Sequence, residues 1–180
     1  MADRKLSDLG LTARGGVNPN IVGLALDSRS VREGFLFAAL PGTEMHGAEF
    51  IGPALRMGAA AIVTDAEGAS LGAQALAGSK AALIICDDPR EVFSRVAAIW
   101  FGAQPKTIVA VTGTNGKTSV ATFARQIWTL LGHEAINIGT TGVEGAWSAP
   151  SSHTTPDPIT LHNMLAQAAA AGVTHAAMEA

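Results

Sequence analysis

Sulfur and charge are both scarce in this sequence. Its single cysteine, Cys86, cannot close an internal disulfide, and its place in the apolar run 81–86 reads as a packed thiol rather than a reactive one. Charged residues make up 15% of the 180 and leave a formal net charge of -3. The 12 Lys and Arg are scattered, with no run able to neutralise a phosphate backbone, which argues against a nucleic-acid partner. Long apolar stretches are missing too: none approaches the roughly 20 residues that cross a bilayer. The opening MADRKLSD carries charge where a secretory signal needs an apolar core, and acidic residues that a transit peptide avoids. The expectation is a cytoplasmic monomer with no membrane partner.

What is present is apolar residue, 48% of the chain, enough for one sizeable core or two modest ones. Strand-length apolar runs at 21–26, 34–40, 59–63 and 83–86 alternate with Ala-rich helical stretches such as 50–57, which is an α/β pattern. Residues 87–102 read as a capped helix with Val92, Phe93, Val96, Ile99 and Trp100 at helical spacing. A breaker at 102–105 separates this first unit from a β-branched strand at 107–112, so the domain boundary is placed near Pro105, giving units 1–104 and 105–180. The second unit continues with a helix at 117–131, a strand at 135–138, a Gly-, Ser- and Pro-rich segment at 139–158 and a helix at 159–171. The run 173–180 reads as a buried strand. Ligands of α/β domains sit just beyond such strand ends, so the sequence is expected to be a fragment of a longer domain.

The strongest chemical signal is Thr112-Gly113-Thr114-Asn115-Gly116-Lys117-Thr118-Ser119, between a strand and an amphipathic helix. Amides of a glycine-bearing turn and the positive end of the following helix can surround phosphate oxygens. Lys117 would reach the terminal phosphates, and the Thr118 hydroxyl suits Mg²⁺. The pattern G-x-x-x-x-G-K-[ST] wants glycine where this chain has Val111, so only its second half matches. A purely structural strand-to-helix turn explains less. A lysine at a helix start opposes the macrodipole by about 0.3–1 kcal/mol unless an anion offsets it.

This loop resembles the ATP-binding loop of the Mur ligase and folylpolyglutamate synthetase superfamily. Leu26-Asp27-Ser28-Arg29, the stretch GFLFAALPG at 34–42 and HGAEFI at 46–51 resemble the uridine-binding domain of the third and fourth Mur ligases, which folate enzymes lack. Gly139-Thr140-Thr141-Gly142, the segment His153-Thr154-Thr155-Pro156-Asp157-Pro158 and Met178-Glu179-Ala180 resemble the ligase that adds the third amino acid. The resemblance rests on the order and spacing of these segments over almost the whole chain. It implies a small N-terminal α/β UDP-binding domain at 1–104 followed by the incomplete start of a P-loop α/β ATPase domain at 105–180.

The resemblance further implies an ATP- and Mg²⁺-dependent ligase of cell-wall peptidoglycan synthesis. Such an enzyme joins meso-diaminopimelate or L-lysine to UDP-N-acetylmuramoyl-L-alanyl-D-glutamate through an acyl phosphate. Residues Gly113, Thr114, Asn115, Gly116, Lys117, Thr118 and Ser119 would hold ATP, with Lys117 catalytic. Thr118 and Glu179 would serve Mg²⁺, the alternative for Glu179 being a solvated terminal glutamate. Leu26 and Ser28 would contact uracil, with Thr43, Glu44 and Met45 in a loop beside it; Leu26 also suits a core strand. His153, Thr154 and Thr155 would face the diphosphate or peptide end, the alternative for the threonines being turn chemistry ahead of a helix capped by Asp157. The fragment by itself is expected to be inactive. Two rivals stay open: the ligase that adds D-alanyl-D-alanine, and a non-catalytic module binding UDP or ATP.

The other histidines, His46, His133, His162 and His175, have no metal-ligand spacing and read as surface or packing residues. Trp100 and Trp128 read as core; Trp147 sits in a loop, where both an exposed and an interface aromatic stay open.

Overall fold

In a computed structural model, residues 3–140, 142–149 and 156–180 are described. The chain divides into two units, Met1–Trp100 and Phe101–Ala180.

The first unit opens with a small antiparallel ladder of β1 (Arg4–Lys5) and β2 (Asn20–Ile21). Its body is a parallel sheet in the order β3 (Gly23–Ala25), β4 (Phe35–Ala38), β5 (Ala61–Thr64) and β6 (Ala82–Ile85). The helices are α1 (Ile51–Arg56), α2 (Ala66–Leu71), α3 (Ala73–Ala77) and α4 (Pro89–Phe101). Successive side chains of a strand point to opposite faces. Phe37 and Ile62 enter a core with Ala25, Val31, Ile51 and Ala54, while Leu36, Ala61, Val63 and Ile84 are buried on the other face. Both faces are therefore covered, as near-continuous apolar strands of a parallel sheet require. In α4 the buried residues Phe93, Val96, Ala97 and Trp100 recur at helical spacing.

The second unit is a four-stranded sheet in the order β7 (Thr107–Val111), β10 (His175–Glu179), β8 (Ala135–Gly139) and β9 (Gly142–Gly145). β7, β10 and β8 are parallel, and β9 returns antiparallel to β8. Helix α6 (Pro158–Ala170) packs Met164, Leu165 and Ala168 against Ile136, Ile138, Val143 and Ala176. Asp157 caps it, Oδ1 accepting from Ile159 N and Thr160 N at 2.9 and 3.1 Å, as the turn chemistry predicts. Helix α5 (Lys117–Leu130) touches β8 and β10, and Arg125 Nε donates to the buried Asn137 Oδ1 at 2.5 Å.

Two sequence expectations change, and the open position of Trp147 is resolved. The segment 139–158 holds a strand, β9, which two glycines and four residues of length conceal; it exists through its pairing with β8. Trp147 packs against the second unit's core. Trp128 is half-buried rather than core, tilted against the His175 ring at 5.1 Å. Its helix carries more apolar residues than the sheet covers: Val120, Phe123, Ile127 and Leu130 form an exposed stripe. Among the described residues no helix is long and apolar enough to cross a membrane.

Candidate functional site

In the second unit β7 ends at Val111 and α5 starts at Lys117, leaving residues 112–116 as the loop between them. Gly116 is the residue ahead of the helix, with φ 80° and ψ 0°, and Gly113 has φ 149°. No protein atom lies within 4 Å of a Cβ built on Gly116. The requirement for glycine there is conformational, because L side chains rarely adopt this left-handed geometry. The loop and the first turn, Thr112 to Ser119, are exposed apart from the half-buried Lys117. Lys117 folds back over the loop, its Nζ donating to Gly113 O at 2.7 Å. The ammonium, the free amides of the first turn of α5 and the hydroxyls of Thr118 and Ser119 thus belong to one short arc, a setting suited to an anion. Val111, which departs from the common phosphate-loop pattern, is still part of the ladder: it pairs with Glu179, and its carbonyl accepts from Ala180 N at 2.9 Å.

That pairing places Glu179 on the strand next to the loop. The side chain is 3% exposed, so it is not a solvated terminal glutamate. Thr140 N approaches Glu179 Oε1 at 3.4 Å, a long and weak contact. A Cβ on Gly139 would stand 2.2 Å from the same oxygen. Gly139, which sequence reasoning assigned only to a family motif, leaves the space that the carboxylate fills. The C-terminal ends of β7, β8 and β10 share one edge of the sheet. One edge therefore carries a buried carboxylate and a glycine-bearing cationic loop. Among the described residues no group of three or more His, Cys, Asp or Glu could hold a metal. A single carboxylate with a hydroxyl fits Mg²⁺, which takes few protein oxygens and completes its shell with phosphate and water.

The first unit has its own candidate site. Beyond β3 the chain enters a short turn, Ser28–Ser30, capped by Asp27, whose Oδ1 accepts from Arg29 N at 2.9 Å. Arg29 also binds the Asp27 carboxylate through its guanidinium, at 2.6 Å to Oδ2, and this hydrogen bonding holds the carboxyl below its ordinary pKa. Leu26, Asp27, Ser28, Arg29 and Phe50 line a cavity of about 560 Å³. It lies at the C-terminal end of a parallel strand, where such sheets hold ligands. Leu26 and Ser28, expected at the uracil, are thereby brought together. Thr43, Glu44 and Met45 are exposed in the turn closed by the Pro41–His46 bridge and do not line that cavity. His153, Thr154 and Thr155 lie outside the described residues.

The remaining histidines are packing residues. His133 and His175 stack at 4.1 Å, and His162 Nδ1 lies 3.0 Å from Gln104 Nε2. Burial pushes the pKa of both His162 and His175 down, with His133 adding to the effect on His175. His46 is more than that. It is half-buried and joined to Asp65 at 3.1 Å, a pairing that a spacing of 19 residues conceals in the sequence. Cys86 is half-buried, its thiol pKa pushed up by burial and then by Asp87 and Asp88.

Residues 20–100 match the Mur ligase family catalytic domain, and residues 111–180 match the Mur ligase middle domain. The chain belongs to the Mur ligase family. Among similar Mur ligases is the UDP-N-acetylmuramoyl-L-alanyl-D-glutamate--2,6-diaminopimelate ligase of Brucella melitensis, 50% identical over 161 residues, which are 89% of this chain and 32% of that protein. The ligase of the same name from Agrobacterium fabrum is 45% identical over 181 residues, 98% of this chain and 34% of that protein. A solved structure of a ligase so named aligns with a TM-score of 0.68 at 32% identity, covering 89% of this chain and 32% of its own. The chain thus spans about a third of the length of these Mur ligases.

Proposed function

We propose that this chain is the nucleotide-binding part of an ATP-dependent ligase that joins 2,6-diaminopimelate to UDP-N-acetylmuramoyl-L-alanyl-D-glutamate in peptidoglycan synthesis. The observation that carries the reading is the pairing of Glu179 with Val111, which sets a buried carboxylate beside the loop headed by Gly116 and Lys117. The names borne by relatives at 45–50% identity support diaminopimelate over L-lysine as the amino acid.

In this reading the loop from Gly113 to Ser119 binds ATP, and Lys117 leaves the Gly113 carbonyl to meet phosphate oxygens. Thr118 and Glu179 hold Mg²⁺, whose chemistry is to neutralise phosphate charge. The chain's own contribution is orientation and electrostatic stabilisation, which is most of what phosphoryl transfer asks of a protein. The first unit holds the uridine diphosphate end of the substrate at Leu26 and Ser28. His153, Thr154 and Thr155 remain proposed contacts of the diphosphate or peptide end. The protein acts in the cytoplasm, as a monomer, with no nucleic-acid or membrane partner.

The test is an assay of the gene product carrying these residues. ADP release should require both the UDP-muramoyl dipeptide and diaminopimelate, yield the tripeptide product and vanish in Lys117→Ala. Release that needs D-alanyl-D-alanine and a UDP-muramoyl tripeptide instead would overturn the assignment.

A further inference from the structure

We propose that Phe50 is the aromatic platform on which the uracil ring stacks in the first unit's cavity; this rests on the uridine reading of that cavity. Phe50 ends a 3-10 turn, Gly47–Phe50, and is 40% exposed, whereas the next residue, Ile51, is fully buried in the core. An aromatic ring left outside a core forfeits the burial that normally rewards it. Here the ring borders the cavity instead, the one aromatic residue among the described residues that line it, together with the polar residues Ser28, Asp27 and Arg29. A cavity that combines a flat apolar surface with polar groups matches a pyrimidine, whose faces stack and whose rim hydrogen-bonds.

The backbone that carries Phe50 is fixed on both sides. His46 caps the turn, Nδ1 accepting from Ala48 N at 2.9 Å. A neutral imidazole that accepts at Nδ1 carries its proton on Nε2, and Nε2 donates to Asp65 Oδ1 at 3.1 Å. Asp65 is itself held, since the same oxygen accepts from Gly68 N at 2.7 Å at the start of α2. Gly47 N donates to Leu40 O at 2.8 Å, and a Cβ on Gly47 would come within 2.8 Å of that oxygen. Beyond the turn, Ile51 anchors α1. A ring on so constrained a turn loses little freedom when a base docks, which is the requirement for an efficient binding platform. Other exposed apolar residues of this unit, such as Val17, Met57 and Leu71, do not line the cavity.

The experiment uses the 180-residue chain and UDP. Proton NMR of bound UDP should show uracil H5 and H6 moved upfield by the Phe50 ring current, with cross-relaxation between those protons and the Phe50 ring. Calorimetry should show Phe50→Leu weakening UDP about tenfold, with the upfield shift lost, while Phe50→Trp keeps both. Thermal unfolding of each variant reports whether the fold survives, and the wild-type NMR contacts decide the question without any variant. UDP bound with no contact to the ring, or bound equally by wild type and Phe50→Leu, overturns the stacking role and leaves the uridine site standing. No UDP binding by the folded wild type overturns the uridine reading and the stacking role with it.

Discussion

Strands β5 and β7 are written in the same apolar, β-branched style and end in different surroundings. All four residues of β5 are buried, whereas Thr107 to Ala110 of β7 are exposed and Val111 is half-buried. The helices repeat the contrast. In the first unit α4 buries five residues, while α5 buries only Ala121 and displays Val120, Phe123, Ile127 and Leu130. A continuous apolar strand signals that both its faces suit burial, but it does not say which residues supply the cover. In the first unit the neighbouring segments supply it. In the second, cover reaches β8 and β10 and leaves β7 and one face of α5 in contact with solvent. The loop at residues 112–116, proposed to bind phosphate, sits at the junction of those two less covered elements.

The largest effect that separates the units should come from Lys117→Ala. A charge-assisted contact is worth about 1.5–3 kcal/mol, so ATP affinity measured by calorimetry should fall tenfold or more while UDP affinity is unchanged. Loss of both would show that the two sites are not independent. Next in size is Gly139→Ala, because the new methyl group meets the Glu179 carboxylate. A cost of about 1–3 kcal/mol is expected, seen as faster hydrogen exchange in β8 and β10 and not in β4 and β5.

Asp65→Ala strikes the first unit instead. It removes the cap of α2 and the partner of His46, for about 0.5–2 kcal/mol. The Asp65 carboxyl is held below its ordinary pKa chiefly by the Gly68 N–H, with His46 adding to it. Its stabilisation is therefore complete above the unfolded carboxylate value of about 3.9 and is lost as pH falls through the lowered folded value. Thermal unfolding at neutral pH should separate Asp65→Ala from wild type, and the gap should narrow in strong acid. The smallest change in stability is expected from Leu130→Lys, at a position 87% exposed. It should stay within about 0.5 kcal/mol of wild type yet reduce binding of an apolar dye, since it interrupts the α5 stripe.

The α/β class and the longer elements were legible because they depend on local pattern. The Phe93-Val96-Trp100 spacing gave α4, the β-branched run gave β7, and Asp157 ahead of Pro158 gave the start of α6. The turn between β7 and α5 was legible for a similar reason: its strand-loop-helix conformation is encoded in contiguous residues. Features that join distant residues were not. His46 and Asp65 meet only when α2 folds beside the turn, and Gly139 is informative only once β10 lays Glu179 across it. Phe50 reads as the start of a helix, although its backbone ends a 3-10 turn and its ring lines a cavity. β9 has no apolar alternation of its own and is made by its partner strand. The exposure of α5 ran against its amphipathic pattern, because periodicity reports a face and not the presence of its cover.

The most direct test of the two-site account is one NMR titration of the uniformly ¹⁵N-labelled chain, first with Mg²⁺-ATP and then with UDP. The account predicts that ATP shifts the amides of Gly113 to Ser119 and of Ala180, beside Glu179, and leaves the cavity residues Leu26 to Arg29 and Phe50 in place. UDP should then shift that second set and not the first. ATP that moves no amide between Gly113 and Ser119, or UDP that moves none around Leu26 and Phe50, would contradict it.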